Sequence, residues 1–320
     1  MAVVPMCDTV VLYHRSCNDG IAAAWAAYQY LGEGALYAPY QYGDELPAIV
    51  QGRHLIMVDL SLPAEMLNLD ELGVASLLII DHHKTAQPLI AITDTVSNVD
   101  QYLKLREDGQ RTFLYFDLAF SGAVLTWMFF APADRAHAVP EALRMIQDYD
   151  LWKHELVGSR QFNAWLAAGD RSIERFNRGL RADGSVTAEV IASGHVLMEY
   201  DRRIAQSVAK LYVRPVKWKG MMVATVNAPA HLRNEVADIL SAQYPVVVCY
   251  TVRDEEVVYS LRSSGEVDVS ALAEQFDGGG HSKAAAFALT FDTAELKVLH
   301  WLRPALLQRL KKVFTWKRST

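Results

Sequence analysis

The sequence predicts an α/β protein in two parts. An N-terminal, mostly parallel sheet with flanking helices is joined by a long helix to a smaller α/β domain. Three observations carry this. Short apolar runs recur in the first half, each stopping on polar residues and leading into a turn or helix, which is the rhythm of βα units. An amphipathic stretch from Thr187 to Tyr212 has few breakers after Gly194 and suits a connecting helix. Beyond it, strand-like and helix-like segments resume. At 320 residues two domains are the expectation, placed at 1–186 and 213–320 with the connector 187–212 between them.

The first strand spans Thr9 to Tyr13 and runs into His14-Arg15-Ser16-Cys17-Asn18-Asp19-Gly20. The Ala-rich segment Ile21 to Leu31 follows as a helix, closed by Gly32 and Gly34. The turn offers His14, Cys17 and Asp19; it also reads as a capped helix start, with Asn18 or Asp19 as the N-cap. His54 to Val58 is the next strand and ends on Asp59, and a helix from near Pro63 to about Leu72 stops at Gly73. Residues 74–80 form a strand whose apolar run, Leu77 to Ile80, ends on Asp81-His82-His83. Ligands of open parallel sheets gather outside the carboxyl ends of the strands. Three strand ends bearing His14, Asp59 and Asp81-His82-His83 therefore mark a candidate metal or phosphate site.

From Gln87 to Phe120 the pattern is weak. Gly122 to Phe130 reads as a helix with Ser121 as its cap. Pro140 opens another, and Asp148-Tyr149-Asp150 follow it as an acidic cluster, which is also what a solvated helix end looks like. In the second half, Met221 to Val226, Val246 to Val252 and Val257 to Ser263 read as strands, and Ala230 to Gln243 as a helix. A short helix over VDVSALAEQF precedes Asp277-Gly278-Gly279-Gly280-His281-Ser282-Lys283. Three successive glycines predict a turn whose N–H groups converge on an anion. Arg262, His281 and Lys283 supply cationic or donor side chains beside it. A helix with a break at Pro304 is expected from Thr293 to about Val313.

Composition narrows the function. Hydrophobic residues are 51% and charged residues 21%, as in ordinary globular chains. No apolar run approaches the length of a membrane span, and the N-terminus lacks the basic lead of a signal peptide. Three widely spaced cysteines, Cys7, Cys17 and Cys249, argue for a reducing compartment, and a cytoplasmic location is expected. The net charge of −6 speaks against a partner as long and polyanionic as duplex nucleic acid.

These motifs resemble the DHH family of phosphoesterases with the DHH-associated C-terminal domain. Asp81-His82-His83 is the name motif, VVYSLRSSGEVDVSALAEQFDGGGHSKAAAF is similar to the Gly-rich signature of the second domain, and YHRSCNDG resembles the opening of the nanoRNase and linear-dinucleotide phosphodiesterase subgroup. The similarity runs from Leu12 to Phe287.

The resemblance implies two divalent metals per chain held between the domains, manganese or else magnesium. His14 and Asp59 correspond to ligands of the first metal. Asp19, Asp59, His82 and one of Asp148 or Asp150 correspond to ligands of the second, with Asp59 bridging. Asp81, His82 and His83 form the catalytic motif, His83 facing the phosphoryl group. Arg262, Gly278, Gly279, Gly280, His281 and Lys283 correspond to substrate-binding residues. The implied activity is hydrolysis of short oligoribonucleotides or linear dinucleotides such as pGpG to nucleoside 5′-monophosphates. The alternatives are a 3′-phosphoadenosine 5′-phosphate phosphatase, or a nucleotide-binding module without turnover.

Three positions depart from the family pattern. Cys17 stands for the first aspartate of Asp-x-Asp-Gly, where it weakens the first manganese site, binds a different metal or does not bind. Asp277 replaces a glycine, and Ala286 stands where the signature ends in glycine.

Overall fold

The computed structural model describes residues 8–290 apart from 16, 42, 219, 254 and 255. The expected C-terminal helix with its break at Pro304, and Cys7, lie outside the described residues. The chain is α/β and divides into two compact units, 1–198 and 199–320.

In the first unit β1 (Thr9–His14) leads into α1 (Asn18–Leu31) and β2 (Ala35–Tyr40). Then come β3 (His54–Val58), α2 (Leu69–Leu72), β4 (Ser76–Asp81), the two-residue β5 (Asp94–Thr95), α3 (Val99–Glu107) and β6 (Thr112–Phe116). Helices α4 (Gly122–Phe130), α5 (Glu141–Asp150), α6 (Ser159–Ala167) and α7 (Ile173–Arg178) follow. The long α8 (Ala188–Tyr212) carries the chain into the second unit. The strands form one six-stranded sheet in the order β2-β1-β3-β4-β6-β5, and every pairing in it is parallel.

Alternation along these strands sends side chains to two cores. Val11, Ile56, Val58, Leu78 and Ile80 face the layer that holds α1, α4 and α5. Val10, Leu12, Leu55, Met57, Leu77 and Ile79 fill the other side. With both faces covered, the strands read as continuous apolar runs. Each fully buried Leu or Ile contributes about 1.5–3 kcal/mol. Every residue of α1 from Ala22 to Ala27 is buried, five alanines and Trp25. Small side chains there let the helix lie close to the sheet and to α4.

The helix expected from Pro63 to Leu72 is shorter: a 3-10 turn over Ala64–Met66 precedes α2, which Asn68 caps and the left-handed Gly73 ends. Strands β2, β5 and β6 and helices α3, α6 and α7 lie where no element was expected. β2 is an edge strand with Pro39 and a half-exposed pattern, so it lacks the buried-strand signature.

The second unit comprises β7 (Arg214–Trp218), β8 (Met221–Asn227), α9 (Arg233–Ser241), β9 (Val246–Arg253), β10 (Glu256–Ser263), α10 (Ser270–Ala273), β11 (Gly279–His281) and β12 (Ala284–Thr290). They form a mixed sheet in the order β11-β12-β10-β9-β8-β7, parallel between β8 and β9 and antiparallel elsewhere. One face packs against α9 and the Ala205 and Ala209 side of α8. The other packs around Val269 and Ala273. Among the described residues no helix is long and apolar enough to cross a membrane.

The Gly-rich stretch corrects an expectation. Gly279 to His281 do not curl into a converging turn; they form β11, in register with Ala284–Ala286 of β12. The reason is steric. A Cβ on Gly278 would collide with the Ala286 carbonyl and lie 2.5 Å from Phe287 Cβ, and one on Gly280 would lie 2.5 Å from the Ala284 carbonyl. The glycines let a short edge strand lie tightly on β12. Asp277, with φ of 57°, makes the left-handed step before it, a conformation Asp tolerates better than most residues.

This geometry separates two neighbouring glycines. Gly278→Ala should destabilise the second unit by about 1–3 kcal/mol through overpacking. Gly279→Ala, whose Cβ would meet nothing within 4 Å, should stay within about 0.5 kcal/mol of the parent. Thermal melting of the two variants checks this, and equal losses would refute the close-approach explanation.

Candidate metal centre

The central strands β1, β3 and β4 deliver the cluster. The chain places β2 outside β1 and then returns to lay β3 on the other side, so the strand order reverses between β1 and β3. At such a switch point the crevice beyond the strand ends opens. His14 is the last residue of β1, Asp59 follows β3, and Asp81 ends β4.

Asp59 is the hub. It is 1% exposed and has φ of 59°, a left-handed backbone just past the strand, which costs about 1–2 kcal/mol for most L-residues and less for Asp. Its N–H donates to the Ile80 carbonyl at 3.0 Å. Its side chain fits because Gly122 has none: a Cβ there would stand 2.7 Å from Asp59 Cβ. Neither carboxylate oxygen of Asp59 has a hydrogen-bond partner. The nearest cationic or donor groups are His14 Nδ1, 3.6 Å from Oδ2, and His82 Nε2, 3.3 Å from Oδ1.

Asp19 comes from the first turn of α1. The N-cap of that helix is Cys17, neither Asn18 nor Asp19, and its side chain makes no cap bond. Asp19 instead reaches across to the start of α4 and accepts from the N–H groups of Gly122 at 2.6 Å and Ala123 at 3.1 Å. A helix N-terminus is a favourable place for a carboxylate. His82 Nε2 lies 3.7 Å from Asp19 and 3.6 Å from Asp150.

Asp148 and Asp150 lie within the last turn of α5, not after the helix. Two residues apart, they point to different sides. Asp150 joins Asp19 and His82 in a group whose candidate ligand atoms all lie within 4.8 Å of one another. Asp148 is in none of these groups. Its Oδ1 accepts from Glu155 N–H at 2.8 Å and Leu156 N–H at 3.2 Å, pinning the loop after α5. The structure thus brings Asp150, and not Asp148, to the cluster.

Asp81 is fully buried and orients its neighbours. Its Oδ1 accepts from His82 N–H, His83 N–H and His83 Nδ1, the last at 2.7 Å. That bond places the proton of His83 on Nδ1 and leaves Nε2 as the other ring nitrogen. His83 is 36% exposed. The closest groupings are Asp59, Asp81, His82 and His83; His14, Cys17 and Asp59; and Asp19, His82 and Asp150.

The electrostatics fit a cation. Burial alone would lower His82, but Asp59, Asp19 and Asp150 outweigh it and raise it to about 10. Burial likewise opposes protonation of His83, which Asp81 and Asp59 raise to about 9. Burial pushes the Asp150 carboxyl up to about 6; Asp59 adds to the rise, while His82, His83 and His14 oppose it. Burial and the same carboxylates raise Asp19 and the Cys17 thiol. The metal-free cluster therefore retains protons that a cation would replace. His14, Cys17, Asp19, Asp59, His82 and Asp150 offer the oxygen, nitrogen and sulfur donors that could hold one.

Several supporting groups carry no motif of their own. Gly122 and Ala123 are visible in the sequence only as a Ser-Gly helix start. Asn163 and Arg171 anchor the opening of α1: Asn18 donates to Asn163 Oδ1 at 3.0 Å and accepts from Arg171 Nε at 2.9 Å. Of the second-unit candidates, Arg262 donates from Nε and Nη2 to Asn234 Oδ1 at 3.1 and 2.9 Å. Gly278 to His281 form the edge described above, with Lys283 in the turn that follows.

The first unit is thus a doubly wound parallel α/β domain with a buried carboxylate–imidazole cluster at its switch point. Residues 219–303 match the DHHA1 domain family. The fold is similar to the DHH domain of a member of a family of ribosomal proteins, at 17% identity and a TM-score of 0.52, covering 91% of this chain and 84% of that one. It is equally similar to an exopolyphosphatase-related protein from Bacteroides fragilis, at 14% identity and a TM-score of 0.52, covering 91% and 90%. An uncharacterized protein of Acanthamoeba polyphaga mimivirus is 26% identical over 306 residues, 88% of this chain and 67% of that one. The chain thus has a DHH-type fold, with Asp81-His82-His83 at the strand ends of its first unit and a match to the DHHA1 domain family over residues 219–303.

Asp150 gives a stability test with a definite sign. Its folded pKa of about 6 lies above the unfolded value, so folding loses stability as pH rises from about 4 through about 6. In metal-free protein Asp150→Asn should raise stability by about 1–2 kcal/mol at pH 8 and leave it unchanged near pH 4. The same variant should bind manganese more weakly. Calorimetric melting in chelator at the two pH values, with a manganese titration, checks both; a destabilised metal-free variant at pH 8 would overturn the reading.

Proposed function

We propose that this protein is a metal-dependent phosphodiesterase that hydrolyses short oligoribonucleotides or linear dinucleotides such as pGpG to nucleoside 5′-monophosphates. The observation that carries the reading is the Asp59 carboxylate, buried with neither oxygen hydrogen-bonded and the His14 and His82 imidazoles facing it, at 3.6 and 3.3 Å. An unsatisfied buried polar group costs about 1–3 kcal/mol, more if charged. A cation shared between the groups on its two sides would satisfy it.

Two divalent cations per chain, manganese or magnesium, suit the oxygen and nitrogen donors. His14 and Asp59, with Cys17 beside them, would hold one; Asp19, Asp59, His82 and Asp150 would hold the other. When bound, such cations supply the positive charge that activates water and offsets charge at a phosphoryl group. The chain's own residues do the positioning. Asp81 fixes the tautomer and orientation of His83 through the 2.7 Å bond to Nδ1. His83 as an imidazolium would donate from Nε2 to a phosphoryl oxygen. Asp148 holds the loop that follows α5, and α4 holds Asp19. In the second unit Arg262, Gly278, Gly279, Gly280, His281 and Lys283 are the residues proposed to contact substrate phosphate or the adjoining nucleotide. The DHHA1 match over residues 219–303 supports this assignment.

Asp59→Asn keeps the shape and tolerates the left-handed backbone, so folding should persist while turnover of pGpG in manganese falls by at least about 100-fold. Near-normal release of GMP from a folded Asp59→Asn protein would sink the two-metal assignment. GMP release by the parent protein also separates the proposal from a binding module without turnover.

The net charge of −6 gives a second expectation. Each phosphate beyond the first few gains little from an acidic protein. kcat/KM should therefore fall from dinucleotides to long RNA, with a slope that softens as salt rises. Measured on end-labelled RNA of graded length at two ionic strengths, equal or faster degradation of long RNA would point to a general exonuclease.

A further inference from the structure

Two of the candidate groupings share the neighbourhood of Asp59 but differ in chemistry. Asp19, His82 and Asp150 offer oxygen and nitrogen. His14, Cys17 and Asp59 offer nitrogen, sulfur and oxygen from atoms that all lie within 4.8 Å of one another. We propose that the His14–Cys17–Asp59 group is a sulfur-containing site that selects a thiophilic cation of the zinc, cobalt or ferrous class. The harder group beside it would take manganese or magnesium, so that the protein is built for two unlike cations. This rests on the metal-holding reading of the cluster given above.

Three features support a thiolate ligand at this position. First, Cys17 is the N-cap of α1 and makes no side-chain cap bond. Ser, Thr, Asp and Asn are the residues that serve that role best, and the contact of the sulfur with the Gly20 N–H is at most a weak cap. Second, the other donors are buried without hydrogen bonds: His14 Nδ1 and Asp59 Oδ2 face each other at 3.6 Å, too far for a bond and wide enough for a shared cation, and Asp59 is 1% exposed. Third, the start of α1 is held in place. Asn18 bonds Asn163 and Arg171, and a Cβ on Gly20 would collide with the His14 carbonyl. The sulfur is therefore carried on a fixed backbone beside its two co-ligands.

Ligand softness then sorts the cations. Thiolate favours zinc, cobalt and ferrous ions over manganese and magnesium, whereas carboxylate and imidazole discriminate less sharply. On binding, the thiol proton passes to solvent as the metal–sulfur bond forms.

Cobalt is the probe, because a cobalt–thiolate bond produces a charge-transfer absorption that oxygen and nitrogen ligands do not. The metal-free protein is titrated with cobalt, with and without excess manganese. Alongside it run Cys17→Ser, Cys17→Asp and Cys249→Ser, with bound metal counted by equilibrium dialysis. Ser is a good N-cap, so Cys17→Ser should keep the melting temperature of the metal-free parent, whereas Cys17→Asp adds a carboxylate beside Asp59, Asp150 and Asp19 and should melt lower until a cation is bound.

The parent and Cys249→Ser should show the band, and it should survive excess manganese. Cys17→Ser and Cys17→Asp should lose it, and in Cys17→Asp manganese should displace the cobalt. Cobalt bound without the band, or a band unchanged in Cys17→Ser, overturns the sulfur site while leaving a metal centre in place. Failure of the parent to bind any cobalt or manganese overturns the metal-holding reading itself.

Discussion

A buried carboxylate that faces two imidazoles but makes no hydrogen bond organises the first unit. Asp59 sits at the reversal point of a parallel sheet, in a left-handed backbone conformation, with both oxygens unbonded. Each circumstance is unfavourable in isolation. They persist together because the surrounding structure over-determines them. The flanking strands pair on both sides of β3, the Asp59 N–H is tied to Ile80, and Gly122 leaves the one space the side chain can occupy.

The other acidic residues divide by whether they have donors. Asp81 and Asp148 each accept N–H bonds through Oδ1 alone, with Oδ2 buried and unbonded, and through those bonds they hold His83 and the loop after α5. Asp19 is intermediate, since two amides of α4 contact it while it still faces His82. Asp59 and Asp150 face mainly imidazoles. Proximity separates Asp150 from Asp148: Asp150 lies with Asp19 and His82, whereas Asp148 is turned to the backbone of the loop after α5.

The second unit uses glycine for closeness rather than for curvature. Gly278 and Gly280 allow β11 to run against β12 where side chains would collide. The short edge strand ends in the Ser282-Lys283 turn, which brings Lys283 near Gly265 and the end of β10. The basic groups in this part of the unit are therefore set by strand register, not by a looped backbone.

Much of the architecture was legible along the chain. Apolar runs stopping on His14, Asp59 and Asp81-His82-His83 already imply a buried parallel sheet with polar strand ends, because strands covered on both faces must be apolar throughout and can turn polar only where they emerge. The half-exposed β2, the two-residue β5 and the polar helices α6 and α7 have no such signature, since their stability comes from neighbours rather than from their own pattern. The rest required the tertiary structure. Spacing along the sequence could not show that Asp148 and Asp150 diverge on the last turn of α5, that Asp19 bonds α4 instead of capping α1, or that three glycines form a strand. Each depends on which donors and which steric limits the fold brings to a residue from more than a hundred positions away, or from across a sheet. Residue types and strand ends are properties of the chain, whereas the pairing of a buried charge is a property of packing.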